Sequence, residues 1–566
     1  MKKSNALLVT ALASDLTITV AGCKKQIKVE PKTLNVKLLL GGYGYEWMNN
    51  LITKFQEVYK EEGYKVNLIK PTRQNDGGTV YNDLLEGYAK KSVDLYFTGS
   101  LSPTRVYNEG DVLVEELDDL VYDQKAIDFN GNEEEKTVRE KLDKSFGADW
   151  YQANGKSYNF FYQNSIGALV VNTDKLARCG FDYLPVTTNQ FLNMVHTITE
   201  NERRVKPITT VGNTGYASVM INSWLTQLGG RDEWDTFWSM NNADGSYNTA
   251  SGYEVYNSEN LRQAGAMVFE TYDFKNFVKG AKNYSIEKAH DSLMADYEDG
   301  GGVFLFDGDW ALNETAANYP DDADLSKLSF INVPLASGLG TKLWGPGTDA
   351  NITDAAKVED ILVKVVKGAD AGKEVSQITS EVNTEFGVSL TEASVLRVCE
   401  ARGVYNNRGV ETGNAYLAKG IDDTHKDIAG KFLRMIASDD FSRMYFETSH
   451  CFSPYSKAVN NSEGLLPFTR SQLQIGSHKY ASTIWPQLTG LRKEIGSNLG
   501  RFSPTTNTGY FHTNAELTAT SAYDDRTGRL DPEKVHIYYD QASDLVKKDY
   551  DFIKGEWSRW LENIQK

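Results

Sequence analysis

Apolar runs and helical stripes alternate early in this 566-residue chain, and that alternation limits the fold more than any other feature. Val36-Lys37-Leu38-Leu39-Leu40 stops at Gly41-Gly42, as a buried strand does on entering a turn. Trp47, Leu51, Phe55 and Val58 then recur on one helical stripe. Val66-Asn67-Leu68-Ile69 reads as a second strand ended by Pro71, and Val80, Leu84, Leu85 and Tyr88 read as a second helix. Val93-Asp94-Leu95-Tyr96-Phe97 is a third strand. This order and spacing predict an α/β fold, a mainly parallel sheet flanked by helices. In such open sheets ligands bind beside the carboxyl ends of the strands, here residues 41–46 and 98–100.

The first of these loops offers Tyr43, Tyr45, Glu46 and Trp47. It is not a dinucleotide loop, because the third glycine after Gly42 and Gly44 would fall at Trp47, and no lysine follows for a phosphate-binding loop. Trp47 is in register with the helix stripe and is read as packing; Tyr43, Tyr45 and Glu46, with Thr98 from the third strand end, are candidate ligand contacts.

At the N-terminus Lys2-Lys3 precede a mostly apolar run from Ala6 to Val20, then Ala21-Gly22-Cys23. The run is too short to span a bilayer as a permanent helix. With its small residues ahead of the cysteine it resembles a bacterial lipoprotein signal; an ordinary secretory signal is the alternative. The resemblance implies that residues 1–22 are removed and that Cys23 is acylated. The mature chain would then be held at the outer face of the cell membrane. Residues 23–33, with four lysines and Pro31, read as a linker.

Without residues 1–22 the formal charge is −18. No basic cluster offsets it, which argues against nucleic acid as a partner and for a ligand that is not strongly anionic. About 530 residues call for two or more lobes rather than one core. Cys179, Cys399 and Cys451 remain, so at most one disulfide can form.

Further along, several segments in order resemble the extracellular solute-binding proteins of ABC importers, in particular the group that binds sugars and oligosaccharides (family 1 type). They are residues 36–59, the strand end at 94–99 and Asn164 to Lys175, where Val171-Asn172-Thr173-Asp174 stands at a crossing between lobes. Phe304-Leu305-Phe306-Asp307-Gly308-Asp309-Trp310, Ala418-Lys419-Gly420 and Ser503-Pro504 to His512 complete the series. The resemblance implies a two-lobed, periplasmic-binding-protein-like (type II) fold joined by hinge crossings. Lobe one would hold 34–170 and 415–455, and lobe two 171–414 and 456–566. It implies an oligosaccharide ligand, ABC permease subunits as partners, a monomer, and no catalysis, cofactor or metal.

The residue chemistry agrees with a sugar. Pyranose rings have an apolar C–H face and a rim of hydroxyls, which suit flat aromatic platforms beside amides and carboxylates. Tyr162-Gln163-Asn164 precedes the crossing strand, and Asp309-Trp310 joins a carboxylate to a platform at a strand end. Trp224, Trp344 in its turn-rich loop, and Tyr510 at the end of the 503–512 loop are further candidates. Trp234 and Trp238 are spaced as on a buried helix face, and Trp557, Trp560, Leu561 and Ile564 as on a docked terminal helix. Residues 128–133 resemble a partial calcium loop, but Arg139 takes the place of its closing glutamate. The competing class is a glycoside hydrolase, which needs paired carboxylates such as Asp307 and Asp309. No Gly-x-Ser-x-Gly, His-Glu-x-x-His or Cys-x-x-Cys occurs. The stretch 349–402 reads as acidic and helical, with no functional expectation.

Overall fold

The structure is a computed structural model, and it describes residues 32–101, 106, 112–144, 146, 152–153, 155–211, 216, 218–456, 465–486, 489–495, 521–562 and 564. The N-terminal signal with Cys23, most of the linker, and Tyr510 with its loop lie outside these.

Two sheets form two lobes. In the first, the strand order is Lys65–Thr72, Thr33–Leu39, Leu95–Thr98, Asn414–Leu417, Phe160–Phe161. In the second it is Val205–Ile208, Gly301–Gly308, Ile166–Asn172, Val404–Asn407, Ser482–Ile484, with Leu328–Ile331 also paired to Ile166–Asn172. The first strand buries Leu34, Val36 and Leu38 at alternate positions, whereas Ile166–Asn172 is buried at every position because neighbours flank it and both faces are covered. Helix Glu46–Val58 presses Trp47, Met48, Leu51 and Phe55 into the first core, as its stripe predicts.

Three details differ from expectation. The strand containing Pro71 continues to Thr72; it lies at the sheet edge, where the missing N–H costs no ladder bond. Both sheets are mixed rather than mainly parallel, since strands entered from a crossing run against their neighbours: Asn414–Leu417 is antiparallel to Leu95–Thr98, and Ile166–Asn172 to Gly301–Gly308. All of Ile166–Asn172 belongs to the second sheet, so the chain leaves the first lobe before Ile166 rather than at 170. An all-apolar strand reads alike in either lobe, which is why its sequence does not locate the crossing.

Helices Ala355–Asp370, Val375–Phe386 and Glu392–Arg402 account for most of the 349–402 stretch and pack through Ile361, Leu362, Val365, Val382 and Val395 onto the second core. Helix His536–Leu561 docks on the same lobe through Trp557 and Trp560. Cys179, Cys399 and Cys451 are free thiols. Among the described residues no helix is long and apolar enough to cross a membrane.

Candidate functional site

The chain passes between the sheets at residues 162–165 and 408–413, and backbone bonds tie these segments side by side. Tyr162 N–H donates to the Gly413 carbonyl at 3.0 Å, Arg408 N–H to Ser165 at 2.9 Å, and Asn164 N–H to Phe452 at 2.7 Å. Against this floor lies a cavity of about 280 Å³ between the lobes, at the lower end of the range of ligand clefts. One wall is the glycine loop after the first strand, with Tyr43 and Trp47; Tyr162 and Gln163 come from the crossing; Asp307, Trp310, Glu314, Tyr216 and Arg408 form the opposite wall.

Trp310 sits where strand Gly301–Gly308 gives way to helix Ala311–Ala316. Its ring folds back over the strand end: a Cβ on Gly308 would stand 2.1 Å from the indole, so only glycine leaves room for this rotamer. The rings of Tyr43 and Tyr216 meet the indole edge-on at 6.3 and 6.2 Å. Gly308→Ala is therefore expected to unseat the platform and cost about 1 kcal/mol of ligand affinity, about fivefold, by calorimetry.

Asp309 is fully buried and does not line the cavity. Its carboxylate accepts the Tyr43 hydroxyl from the first lobe, Ile166 N–H at 3.1 Å and Gln472 Nε2 at 2.8 Å. Burial pushes its pKa up to about 7 against the pull of these donors, and burial together with this carboxylate raises Tyr43 well above an ordinary tyrosine. Asp309 thus fixes Tyr43 across the lobe boundary.

This has a consequence for stability. Between about pH 4, where an unfolded aspartate titrates, and about pH 7, the folded chain keeps a proton on Asp309 that the unfolded chain has lost. Stability falls as pH rises through that window and levels off above it. Asp309→Asn mimics the protonated group, so by chemical denaturation the variant should gain on wild type steadily across the window. A constant difference between the two would mean that Asp309 is ionised throughout.

Asp307, two residues earlier and still within strand Gly301–Gly308, does line the cavity. Its Oδ2 lies 2.9 Å from Nε2 of buried His290 on helix Ile286–Met294. Burial works against the imidazolium, yet the Asp307 contact and the surrounding carboxylates hold the pKa of His290 above its ordinary value. Burial, and then the charge of Asp307, push Glu314 up to about 7.

No protein-family model matches the sequence, and no curated protein is detectably similar to it in sequence. Solved structures do match over nearly the whole described fold. "Maltose bound T. maritima MalE3" has a TM-score of 0.51 at 13% identity, with 92% of this chain and 99% of that chain covered. "SBP RafE in complex with raffinose" scores 0.51 at 10% identity, covering 92% and 99%. A protein from work on xylan utilization by Caldanaerobius polysaccharolyticus scores 0.53 at 11%, covering 92% and 100%. The chain has the two-lobed solute-binding fold.

Of the residues singled out in the sequence, this fold brings Tyr43, Tyr162, Gln163 and Trp310 together on the cavity wall, with Trp47 serving both core and wall. Tyr45 is 45% exposed at the start of the first helix, beside exposed Glu46, and neither lines the cavity. Thr98 is buried, its hydroxyl donating to the Asn75 carbonyl at 2.9 Å, so it ties two loops together. Asn164 is buried within the crossing. Trp224 and Trp344 are corrections. Trp224 belongs to a helix covered on nearly every side, its indole donating to the Pro334 carbonyl at 2.9 Å. Trp344 ends helix Gly338–Trp344 beneath the 349–402 helices, donating to Ser394 Oγ at 3.0 Å. Both tryptophans are core.

Sequence reasoning did not single out Tyr216, Glu314 or Arg408. Glu314 carried a signal, four residues from Trp310 and so on its helix face; Tyr216 follows strand Val205–Ile208 by eight residues in sequence. In the partial calcium loop, Asp128 Oδ1 already accepts the N–H groups of Asn130 and Asn132. Among the described residues no group of His, Cys, Asp and Glu is arranged to hold a metal ion.

Proposed function

We propose that this chain is an extracytoplasmic, lipid-anchored solute-binding protein that captures an oligosaccharide between its lobes and delivers it to an ABC permease. The observation that carries this reading is the cavity itself: an indole platform flanked by two tyrosines, with an amide and carboxylates placed for hydroxyls, divided between walls that belong to different lobes. The structural neighbours include proteins described with bound maltose and bound raffinose, and a further neighbour, with a TM-score of 0.50 at 11% identity, is a chitin oligosaccharide binding protein. A sugar touching both walls favours the closed arrangement by the contacts it gains there. Acylation of Cys23, with the short linker behind it, would keep the cleft beside a transporter in the same membrane.

A glycan-panel binding screen run with a hydrolysis assay tests this. Binding without turnover is the expected result; released product would overturn it in favour of a hydrolase.

A further inference from the structure

The wall around Trp310 carries two carboxylates, Asp307 and Glu314, beside one guanidinium, Arg408. Glu314 N–H donates to the Trp310 carbonyl at 3.1 Å, one turn along, so the carboxylate and the indole share a face. Glu314 Oε2 is buried without a hydrogen-bond partner. Asp307 stands near enough for its charge to oppose ionisation of Glu314. The counter-charges are remote or engaged: His290 is hydrogen-bonded to Asp307, Arg73 is an exposed partner of Glu287 at 3.7 Å, and Arg408, the basic side chain on the described cavity wall, donates through Nη1 to Ser218 Oγ at 3.2 Å. The glycine loop brings this carboxylate against the first lobe, since a Cβ on Gly42 would stand 2.9 Å from Glu314 Oε1.

A neutral sugar gives such a carboxylate hydroxyl donors but no charge. An ammonium gives three donors and a compensating charge. It is also attracted to the faces of Trp310, Tyr43 and Tyr216, which cluster around the same point.

We propose that the captured carbohydrate is an amino sugar, its ring on Trp310 and its protonated amino group against Glu314. This rests on the carbohydrate reading above. Asp309, hidden behind Tyr43, takes no part in ligand contact.

Calorimetry with matched glycan pairs, identical except for a hydroxyl or a free amino group on the same ring carbon and each also supplied N-acetylated, tests it. At least one pair should bind with the amino member about tenfold tighter than both its hydroxyl and N-acetylated counterparts. Glu314→Gln, folded by circular dichroism, should reduce that preference to about twofold, the larger loss falling on the amino member. If the hydroxyl or acetylated members bind as tightly as the amino member in every pair that binds, the amino-sugar proposal fails and the carbohydrate reading stands. If no glycan binds folded protein, the carbohydrate reading itself fails. Should Glu314→Gln not fold, wild type decides: high salt should weaken the amino member alone, and an equal response of both members would overturn the proposal.

Discussion

Replacing Trp310 with alanine is expected to weaken carbohydrate binding by about tenfold to a hundredfold, the effect of about 1.5–3 kcal/mol of lost apolar burial. The indole is held in place by Gly308 beneath it and by the edges of Tyr43 and Tyr216, so the platform is pre-organised. Trp310→Phe, which keeps a smaller ring in the same seat, should recover part of the loss. Because Trp310 also packs against the rim of the first core, thermal unfolding of both variants is the control. Unchanged affinity in a folded alanine variant would remove Trp310 from the site.

Gly42→Val should reduce affinity by at least about tenfold for a different reason. A Cβ there would lie 2.8 Å from Trp310 Cβ and 2.9 Å from Glu314 Oε1, both on the other lobe. Gly42 is not among the residues with positive φ, so valine meets no backbone strain and the obstruction arises only where the lobes approach. Each lobe keeps its own core, and the melting temperature should change little. The hinge should instead be wedged apart, seen as a larger radius of gyration in solution scattering with ligand present. Wild-type affinity and an unchanged radius would show that the Gly42 contact is dispensable.

Local pattern made part of this molecule legible. The alternation of Leu34, Val36 and Leu38, the Trp47–Phe55 stripe and the i, i+4 pair Trp234 and Trp238 each have their packing written in nearby residues. The Gly308-Asp309-Trp310 strand end was also readable, because strand ends carry ligand groups in open sheets. What escaped depends on distant chain. Trp224 and Trp344 differ from Trp310 only in what covers them, the Val333–Ala336 region and the helix bearing Ser394. Asp309 looked like a ligand contact because its partner Tyr43 is 266 residues away. Glu314 and Arg408, far apart in sequence, reach one cavity wall only when the second lobe's sheet brings strands Gly301–Gly308 and Val404–Asn407 together.

The laced crossings restrict how the molecule can move. Tyr162 to Gly413, Arg408 to Ser165 and Asn164 to Phe452 join three strands of chain into one narrow ribbon. Segments bonded to one another move together, so the crossings flex as one hinge rather than as separate tethers. Closing on a ligand then forfeits little orientational entropy, and the two walls meet in the same register at every capture.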